Sequence, residues 1–493
     1  MTTPPRSAAL ALSKSRFTAG VQCPKQLWWR VHEPDAPELE FDPATQFILN
    51  QGREVGELAR RYLPGGVLIA FPHDAYHEKI AATQAALAQG AAVIYEAAFF
   101  ADQVFAAVDI LEREGPRFTV IEVKSSTRVK PEHIPDVAIQ VHTLRRAGVN
   151  VTRAEVMHLN PECRFPDLGD LFVREDVTPL VETFLVEVPD RLAALFRALA
   201  GPLPDIAIGP HCFDPRDCPF IERCWATAPE HHVTTLYRLR DEQAWALAGQ
   251  GYDTILDLPE GFRLSPVARR QVRAVRSGEL VVEPGLGRAL EALAYPIAYL
   301  DFETVGPAVP VWPGCGPYTA IPVQFSCHTE YRDGRLAHAE WLASGPADPR
   351  REIAAALVAA CRGAASVVMY TPFEKARIRR LAQDVPDLAG DLAKIETRLV
   401  DLEPIVREHV YHPDFGGSFS LKTVLPALVP ELTYDGLAVT DGQVASAELA
   451  RLLFKADSLT AEQRARLRAD LLAYCKMDTW AMVKLVEKLR RLR

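Results

Sequence analysis

Residues 103–125 read QVFAAVDILEREGPRFTVIEVKS, and this stretch predicts two adjacent β-strands joined by a tight turn. Apolar residues dominate both halves, and Glu114-Gly115-Pro116 between them is a turn signal. Asp109 lies within the first apolar run and Glu122 within the second. Lys124 follows two residues later and therefore points to the same strand face as Glu122. Because a charge in an apolar strand must be compensated, we expect the two carboxylates to share a divalent cation.

The expected cation is Mg²⁺ or Mn²⁺, since hard ions prefer oxygen ligands. We assign Asp109 and Glu122 as its ligands and Lys124 as the group that orients a nucleophile or stabilises charge. Glu96, on the predicted strand 91–100, would complete the metal shell, and Gln140, on the predicted helix 134–147, would position water. All five side chains are catalytic candidates. The competing interpretation is that Glu-x-Lys on a strand is only an exposed salt-bridge pair.

Four cysteines form a second pattern. Cys23 stands near the N-terminus, and Cys212, Cys218 and Cys224 follow with five residues between successive members. Thiolate ligands at such positions fit a four-iron cluster or a zinc ion. Ordinary buried thiols are the alternative, which is disfavoured because three cysteines fall within thirteen residues among prolines and charged side chains.

These motifs together resemble a known nuclease family. Cys23-Pro24-Lys25-Gln26-Leu27-Trp28, Asp109, Glu122-Val123-Lys124, Gln140 and the three distal cysteines are similar to the RecB-type PD-(D/E)xK nucleases with an iron–sulfur cluster, which include CRISPR-associated nucleases and the AddB subunit. The resemblance covers about residues 13–225. It implies a restriction-endonuclease-like fold that cuts DNA, with a 4Fe-4S cluster tying the domain ends together. Residues 52–57 occupy the stretch where the family has an upstream active-site histidine, so the metal shell departs from the family there.

A second acidic constellation lies far downstream. Asp301 and Glu303 are at i and i+2 of a predicted strand, residues 296–304, and so share one face. Tyr474 and Asp478 are at i and i+4 of a predicted helix opened by a capping box at Thr460, and they also share a face. We expect these side chains to hold a metal pair that clamps the attacking and leaving oxygens of a phosphodiester. Alone, Asp-x-Glu would indicate only a solvated strand end.

This pattern resembles the DEDD exonucleases of the ribonuclease H-like fold, in the subgroup with tyrosine in the third motif, over residues 295–493. The resemblance implies a 3′–5′ exonuclease-like centre in which Tyr474 is catalytic and Asp301, Glu303, Glu374 and Asp478 bind metal. Glu374 stands where the family usually has Asp, so a longer side chain would shift the metal slightly. Asp401 and Ser420-Leu421-Lys422 match the family's trailing segment.

The chain therefore divides into three predicted parts in an α/β multidomain fold: residues 1–225, a small helix-hairpin-helix-like spacer at 226–293, and residues 294–493. Short helices are expected in the spacer at 236–239, 244–247 and 251–255. It also carries a basic run, from which Arg269, Arg270 and Arg273 are nucleic-acid-binding candidates. Charge runs are more often solvated faces.

Composition agrees with a globular protein rather than one that coats nucleic acid. The 493 residues are 48% hydrophobic and 24% charged, with a formal net charge of −9. We identify no signal peptide and no membrane span, so we expect a cytoplasmic protein. In such a reducing compartment, clustered cysteines favour metal or cluster ligation over disulfides.

The predicted function is that of a metal-dependent DNA nuclease with two phosphodiesterase centres, acting on single-stranded DNA or free DNA ends in processing, repair or defence. As a whole, the chain resembles bacterial fusion proteins that pair these two nuclease types. The alternative is a nucleic-acid-binding or CRISPR-adaptation accessory protein with one or both centres inactive, and a third interpretation is a zinc-stabilised scaffold. The sequence leaves open DNA against RNA, cleavage polarity and oligomeric state.

Overall fold

A computed structural model describes residues 12–72, 74–259 and 261–493, and the chain divides into two compact units. The first unit comprises the chain up to Thr227 together with Pro307–Tyr318, and the second comprises Ala228–Gly306 and Thr319–Arg493. The predicted mixed α/β architecture with more than one unit is confirmed. Almost all of the predicted spacer, residues 226–293, lies inside the second unit.

The first unit is built on a seven-stranded sheet in the order β2-β3-β4-β5-β6-β7, with β1 paired parallel to β4. Strands β3, β4 and β5 are antiparallel neighbours, whereas β5 and β6 are parallel. Strands β3, β4 and β5 coincide with the three strands predicted from the apolar residues, so that prediction is confirmed. The strands are β1 (Leu12–Ser13), β2 (Val67–Leu68), β3 (Val93–Ala101), β4 (Val104–Glu114), β5 (Arg117–Lys124), β6 (Val151–Leu159) and β7 (Phe172–Asp176).

Eight helices surround this sheet in the described part of the unit. Helix α5 is the central one: Val137, Ala138 and Val141 are buried in the main core cluster with residues of β3, β4 and β6. Its predicted end is confirmed, because Gly148 follows it with a left-handed φ of +88°. The helices are α1 (Lys14–Gln22), α2 (Pro24–His32), α3 (Pro43–Tyr62), α4 (Tyr76–Ala88), α5 (His133–Arg146), α6 (Thr178–Leu185), α7 (Val188–Ala200) and α8 (Ile221–Trp225).

The segment Pro307–Tyr318 completes the first unit, although it follows a strand of the second. The Phe165 amide donates to the Cys315 carbonyl at 2.9 Å, and the Gly314 amide donates to the Phe165 carbonyl at 2.9 Å. The Tyr318 hydroxyl donates to the carbonyl of Ser125, the residue directly after Lys124. The backbone beside the first candidate centre is thus held partly by residues nearly two hundred positions downstream.

The second unit contains a five-stranded sheet in the order β11-β10-β9-β12-β13 and a two-stranded pair, β14-β8. Strands β9, β10 and β11 are antiparallel, whereas β12 runs parallel to both β9 and β13. The predicted strand at 296–304 corresponds to β9. The strands are β8 (Val281–Val282), β9 (Ile297–Val305), β10 (Ile321–Glu330), β11 (Leu336–Leu342), β12 (Ser366–Met369), β13 (Leu399–Asp401) and β14 (Val410–Tyr411).

Helix α18 packs on β9 and β10 and buries Leu471, Tyr474 and Asp478. The predicted capping box is confirmed, since the Thr460 side chain accepts from the Gln463 amide and the Gln463 side chain accepts from the Thr460 amide. The helices of this unit are α9 (Asp241–Ala248), α10 (Pro266–Ser277), α11 (Leu286–Leu290), α12 (Arg350–Ala360), α13 (Phe373–Asp384), α14 (Ala389–Glu396), α15 (Leu402–His409), α16 (Leu421–Leu428), α17 (Gly442–Phe454) and α18 (Ala461–Leu492).

The prediction of three short helices in the spacer is wrong for two of them. Only the middle one exists, as α9. Residues 251–255 instead pair with residues 231–233, because the Val233 amide donates to the Asp253 carbonyl at 2.9 Å and the Ile255 amide to the His231 carbonyl at 3.0 Å. Residues 236–239 cannot be helical because Arg238 has a left-handed φ of +53°. Across the three described ranges, no helix is long and apolar enough to cross a membrane.

Candidate metal centres

Glu122 is the most heavily bonded side chain of the first candidate centre. It is 2% exposed at the end of β5, and its Oε1 accepts from the Nζ of Lys124 and from the Nζ of Lys14, each at 2.7 Å. Its Oε2 accepts from Gln140 Nε2 on α5 at 2.8 Å. The structure therefore brings together Glu122, Lys124 and Gln140 as predicted and adds Lys14 from the start of α1.

Asp109 lies on β4, the strand beside β5. Its Oδ2 accepts from the Val123 amide at 2.7 Å. Burial and the negative charge of Glu122 raise the pKa of Asp109 to about 7. Burial acts in the same direction on Glu122, but the charges of Lys124 and Lys14 lower its pKa overall. The two carboxylates are thus close enough to repel, and a cation between them would relieve that repulsion.

Glu96 has an unusual backbone. The pairing of β3 with β4 places it opposite Asp109, between the pairs Tyr95–Ile110 and Ala97–Val108. Its φ is +58°, a left-handed conformation that is costly for a residue with a side chain. Its Oε1 accepts from Arg60 Nη2 at 3.3 Å, and its charge adds to the raised pKa of Asp109. The register keeps Glu96 beside Asp109, and its role as a third metal ligand stays a prediction.

Asp136 is a member of this centre that the sequence did not reveal. It accepts from Lys124 Nζ at 2.5 Å and lies one helical turn before Gln140, so the i, i+4 spacing on α5 was its available signal. Asp136 Oδ1 and Gln140 Oε1 are buried without a hydrogen-bond partner in the described part of the chain. Lys14 gave no spacing signal, since 108 positions separate it from Glu122. Buried oxygens that lack donors fit a site for a hard cation.

All four predicted cluster cysteines line one small enclosed cavity. Gln26 Nε2 donates to Cys218 Sγ at 3.2 Å. The chain ends around them are also joined, because Gln22 Nε2 donates to the carbonyls of His211 and Arg216 at 2.9 and 2.7 Å. Each of the four thiols is free of a disulfide. Burial raises the pKa of the thiols of Cys212, Cys218 and Cys224, so thiolates here require a compensating positive charge.

The second candidate centre begins on β9. Asp301 and Glu303 project from one face of this strand, and both are close to Cys475 of α18. One ligand atom from each of the three lies within 4.8 Å of the others. Cys475 is fully buried, and its Sγ donates to Asp301 Oδ2 at 3.4 Å. The predicted pair of strand carboxylates is therefore assembled, with a thiol behind it that the sequence analysis did not assign.

Helices α13 and α18 complete the acidic set. Glu374, in the first turn of α13, is 4% exposed, and its Oε2 has no hydrogen-bond partner in the three described ranges. Burial raises the pKa of Glu374 to about 8 and that of Asp478 to about 6. Burial and the charge of Asp478 raise the pKa of both Asp301 and Glu303. Carboxylates buried together in this way fit a cation site, because a cation would stabilise their charged forms.

A cavity of about 1030 Å³ contains this centre. The predicted residues Asp301, Glu303, Glu374, Tyr474 and Asp478 line it together with Asp401 and Lys422. Lys422 Nζ lies 5.2 Å from the Tyr474 ring centre and donates to the Thr440 carbonyl at 2.6 Å. Asp401 caps α15 by accepting from the Glu403 amide at 3.1 Å, which gives it a structural task at the edge of the cavity.

Tyr434 is the principal residue of this centre that the sequence analysis missed. Its hydroxyl donates to Asp478 Oδ1 at 2.6 Å, and its ring centre lies 6.4 Å from that of Tyr474. It stands between α16 and α17, where no periodic pattern marks it. Burial and the charge of Asp478 raise the pKa of the Tyr434 hydroxyl, so it stays a hydrogen-bond donor at neutral pH.

The predicted nucleic-acid-binding arginines lie on α10, along a groove of about 1060 Å³. Arg270 is only 6% exposed, donates to Glu283 at 3.0 Å and to the Arg407 carbonyl at 2.7 Å, and is therefore part of the packing rather than of an open surface. Arg273 donates to the same Glu283 oxygen at 2.7 Å. Arg269 is exposed, so phosphate contact stays a prediction for Arg269 and Arg273 alone.

Comparison with known proteins gives one family match. A protein family described as Domain of unknown function (DUF2779) matches residues 298–420. The matched stretch begins inside β9 and includes Asp301, Glu303 and Glu374, but it ends before Tyr434, Tyr474 and Asp478. No curated protein matches the chain.

Proposed function

We propose that this protein is a metal-dependent DNA nuclease with two phosphodiesterase centres, one in each unit. The observation that carries the proposal is the convergence of Asp301, Glu303, Glu374 and Asp478 on one cavity, with Glu374 Oε2 left without a donor in the described ranges. An all-oxygen set of this kind fits Mg²⁺ or Mn²⁺. The sheet order, three antiparallel strands continued by two parallel ones, supports a ribonuclease H-like fold for the second unit.

In the second centre, bound Mg²⁺ or Mn²⁺ would neutralise phosphate charge and make an attacking water more acidic. The proposed reaction is hydrolysis: the water oxygen bonds to phosphorus, the bond from phosphorus to the 3′ oxygen breaks, and that oxygen takes up a proton. Tyr474 would orient the water, since its hydroxyl remains protonated through burial and the charge of Asp478. Tyr434 would fix Asp478 through its hydrogen bond.

In the first centre, Asp109, Glu122 and Glu96 would hold the cation, which supplies the same chemistry. Lys124 donates to both Glu122 and Asp136 and so lies beside the metal-binding carboxylates. From that position it would face the phosphate or the nucleophile. Gln140 holds the second Glu122 oxygen and so fixes the carboxylate plane. The mixed strand order of the first sheet supports the proposed restriction-endonuclease-like fold.

We assign a 4Fe-4S cluster to Cys23, Cys212, Cys218 and Cys224. The four thiols line one small cavity together with Gln26, whose side-chain amide donates to Cys218 Sγ. Hydrogen bonds to the sulfurs are among the features that tune iron–sulfur clusters, and this contact supports the assignment. We propose a cytoplasmic location, since clustered cysteines serve as metal or cluster ligands in reducing compartments.

Labelled single-stranded and duplex oligonucleotides incubated with Mn²⁺ test the proposal. Wild type should cut, Asp109→Asn and Asp301→Asn should each lose a different part of the product pattern, and the double variant should be inactive. Asp102→Asn is the matched control, since Asp102 lies in the turn between β3 and β4 and its side chain pairs with His142 and Arg146. Undiminished cutting by the double variant would refute the assignment of both centres.

One observation favours a second candidate function. Two lysines already share Glu122 Oε1, so the carboxylate at the heart of the first centre has its charge compensated by the protein itself. That pairing favours a first unit that binds DNA without cutting it. Wild-type oligonucleotide binding with no Asp109-dependent cleavage would select this alternative for the first unit.

A further inference from the structure

We propose that Tyr237 and Arg238 form a strand-end site in the cavity of the second centre, where Arg238 binds a substrate phosphate and Tyr237 stacks on an unpaired base. This inference rests on the proposed nuclease function of that centre and names its substrate class as the end of a single strand. Both residues come from the segment predicted to be a separate spacer, yet both line the same cavity as Asp301, Glu303 and Asp478.

The wall that carries Tyr237 is rigidly attached to the rest of the second unit. The Tyr237 amide donates to Gln271 Oε1 at 2.8 Å, and Gln271 Nε2 donates back to the Thr235 carbonyl at 2.7 Å. The Tyr237 ring meets the Phe419 ring edge to face, with 5.1 Å between centroids. A side chain that is already fixed loses little entropy when a base stacks on it.

Gly417 explains how the two segments come so close. A Cβ atom at this position would lie 2.0 Å from the Thr235 carbonyl oxygen, and the residue has a φ of +84°. Only glycine satisfies both the space and the backbone conformation. The loop before α16, which carries Phe419, is therefore pressed directly on the backbone two residues before Tyr237.

Arg238 is the cation that remains available to a ligand. Arg407 on the same cavity is paired with Glu403 at 2.7 Å, and Lys422 donates to the Thr440 carbonyl. Arg238 is exposed, and it makes no salt bridge with any residue in the described ranges; its guanidinium lies 5.3 Å from the Tyr237 ring centre. The six carboxylates that line this cavity repel a phosphate, so an arginine that is not paired with one of them is the group that a nucleic-acid backbone requires.

The backbone of Arg238 gives independent support. Its φ of +53° is a strained conformation for arginine, and strain of this kind concentrates at ligand sites. An aromatic ring next to an arginine fits a base with its neighbouring phosphate, and stacking on a ring requires a base that is not paired in a duplex. The pair therefore selects a single strand over a duplex.

The test compares Arg238→Ala and Arg238→Lys with Arg240→Ala in the full-length Asp109→Asn chain, so that the first centre is silent. Arg240 is a matched control because it is also exposed, lies two residues away and is not among the residues that line the cavity. Two substrates are used with Mn²⁺: a single-stranded DNA 12-mer and the p-nitrophenyl ester of thymidine 5′-monophosphate, which has no neighbouring phosphate. Binding of the 12-mer is also measured with Ca²⁺ across a series of salt concentrations.

For Arg238→Ala we expect KM for the 12-mer to rise about tenfold or more while kcat and the small-ester rate change less than threefold. The slope of log affinity against log salt should fall by about 0.7, the value for one phosphate contact on a single strand. Arg238→Lys should restore the slope, and Arg240→Ala should behave as the parent chain. Tyr237→Ala should weaken binding at every salt concentration without changing the slope.

If the parent chain is active and Arg238→Ala leaves KM and the salt slope unchanged, the inference is overturned and the nuclease proposal stays intact. Protein that binds the 12-mer through Arg238 but cuts neither substrate would instead overturn the nuclease proposal and keep the site. The same binding measurement is repeated with an RNA 12-mer. If Arg238→Ala weakens binding of RNA and DNA equally, the site accepts either kind of single strand. If it weakens binding of RNA alone, the assignment of the site to DNA is overturned.

Discussion

The hydroxyl of Tyr434 donates a 2.6 Å hydrogen bond to Asp478, 44 residues further along the chain. Asp478 is one of six carboxylates that line a common cavity, and Tyr474 stands one helical turn before it on α18. Hydrogen bonds from both tyrosines lower the pKa of Asp478, against the larger effect of burial. We propose that Tyr434 holds Asp478 and that Tyr474 in addition faces the reacting groups. Their substitution separates positioning from catalysis.

Tyr474→Phe should lower turnover by roughly 10² in the Asp109→Asn background, because a group that orients a nucleophile typically contributes 10² to 10⁴. Tyr434→Phe should reduce turnover less and instead weaken Mn²⁺ affinity, since it frees a metal-binding carboxylate. The measurements are single-turnover digestion and Mn²⁺ titration by calorimetry. Equal effects of both substitutions on metal affinity would contradict the division of tasks.

Lys124→Ala should abolish cutting by the first centre in the Asp301→Asn background while Mn²⁺ binding persists. Lysine cannot ligate the ion while protonated, and Lys14 continues to pair with Glu122. Lys79→Ala is the control, as Lys79 lies on α4 and is not among the lysines that pair with Glu122 or Asp136. Loss of Mn²⁺ affinity with unchanged cutting at saturating metal would show that the lysine has another role.

Cys218→Ser should remove the brown colour and the iron of anaerobically purified protein and lower the melting temperature of the first unit. The cluster would close a loop from Cys23 to Cys212, and closing so long a loop removes much chain entropy. Cys163→Ser is the matched control, because Cys163 is equally buried but packs in a separate apolar cluster. Stoichiometric zinc without iron would contradict the cluster assignment.

Acid should destabilise the second unit through His328. Burial, followed by the positive charges of His338 and Lys476, lowers the pKa of His328 to about 4, and its Nδ1 lies 2.7 Å from Thr479 Oγ1. The unfolded chain takes up this proton near pH 6.5 and the folded chain only near pH 4, so the stabilisation is complete above pH 6.5 and is lost as the pH falls toward 4.

His328→Gln should flatten the decrease of melting temperature between pH 6.5 and 4.5, measured by calorimetry in EDTA. His77→Gln replaces an exposed histidine and should leave that decrease as it is. Parallel pH curves for His328→Gln and wild type would show that the histidine titrates alike in the folded and unfolded chains.

Local patterns predicted the parts of each centre that a single element carries. Asp301 with Glu303, Tyr474 with Asp478, and the capping box of α18 depend on strand and helix periodicity alone. Lys14 and Tyr434 could not be found in this way, because each reaches its carboxylate through tertiary packing across many residues. The prediction of a helix at 251–255 in the spacer was wrong for the same reason, because residues 253–255 pair with residues 231–233 instead.

The insertion of Pro307–Tyr318 into the first unit was likewise invisible in the sequence. Its anchoring bonds, such as that from the Ala308 amide to Gln51 Oε1 at 2.7 Å, join residues 257 positions apart. Apolar patterning indicates that such a segment is buried, but not which core receives it.

We propose that the second unit hydrolyses phosphodiester bonds at its buried carboxylates. The decisive measurement is single-turnover digestion of 3′- and 5′-labelled single-stranded DNA with Mn²⁺, comparing the Asp109→Asn chain with the Asp109→Asn, Asp301→Asn double variant. We expect stepwise release of nucleoside 5′-monophosphates from the 3′ end by the single variant and a reaction at least about 10³-fold slower by the double variant. Equal rates in the two proteins would contradict it and identify the second unit as a binding module.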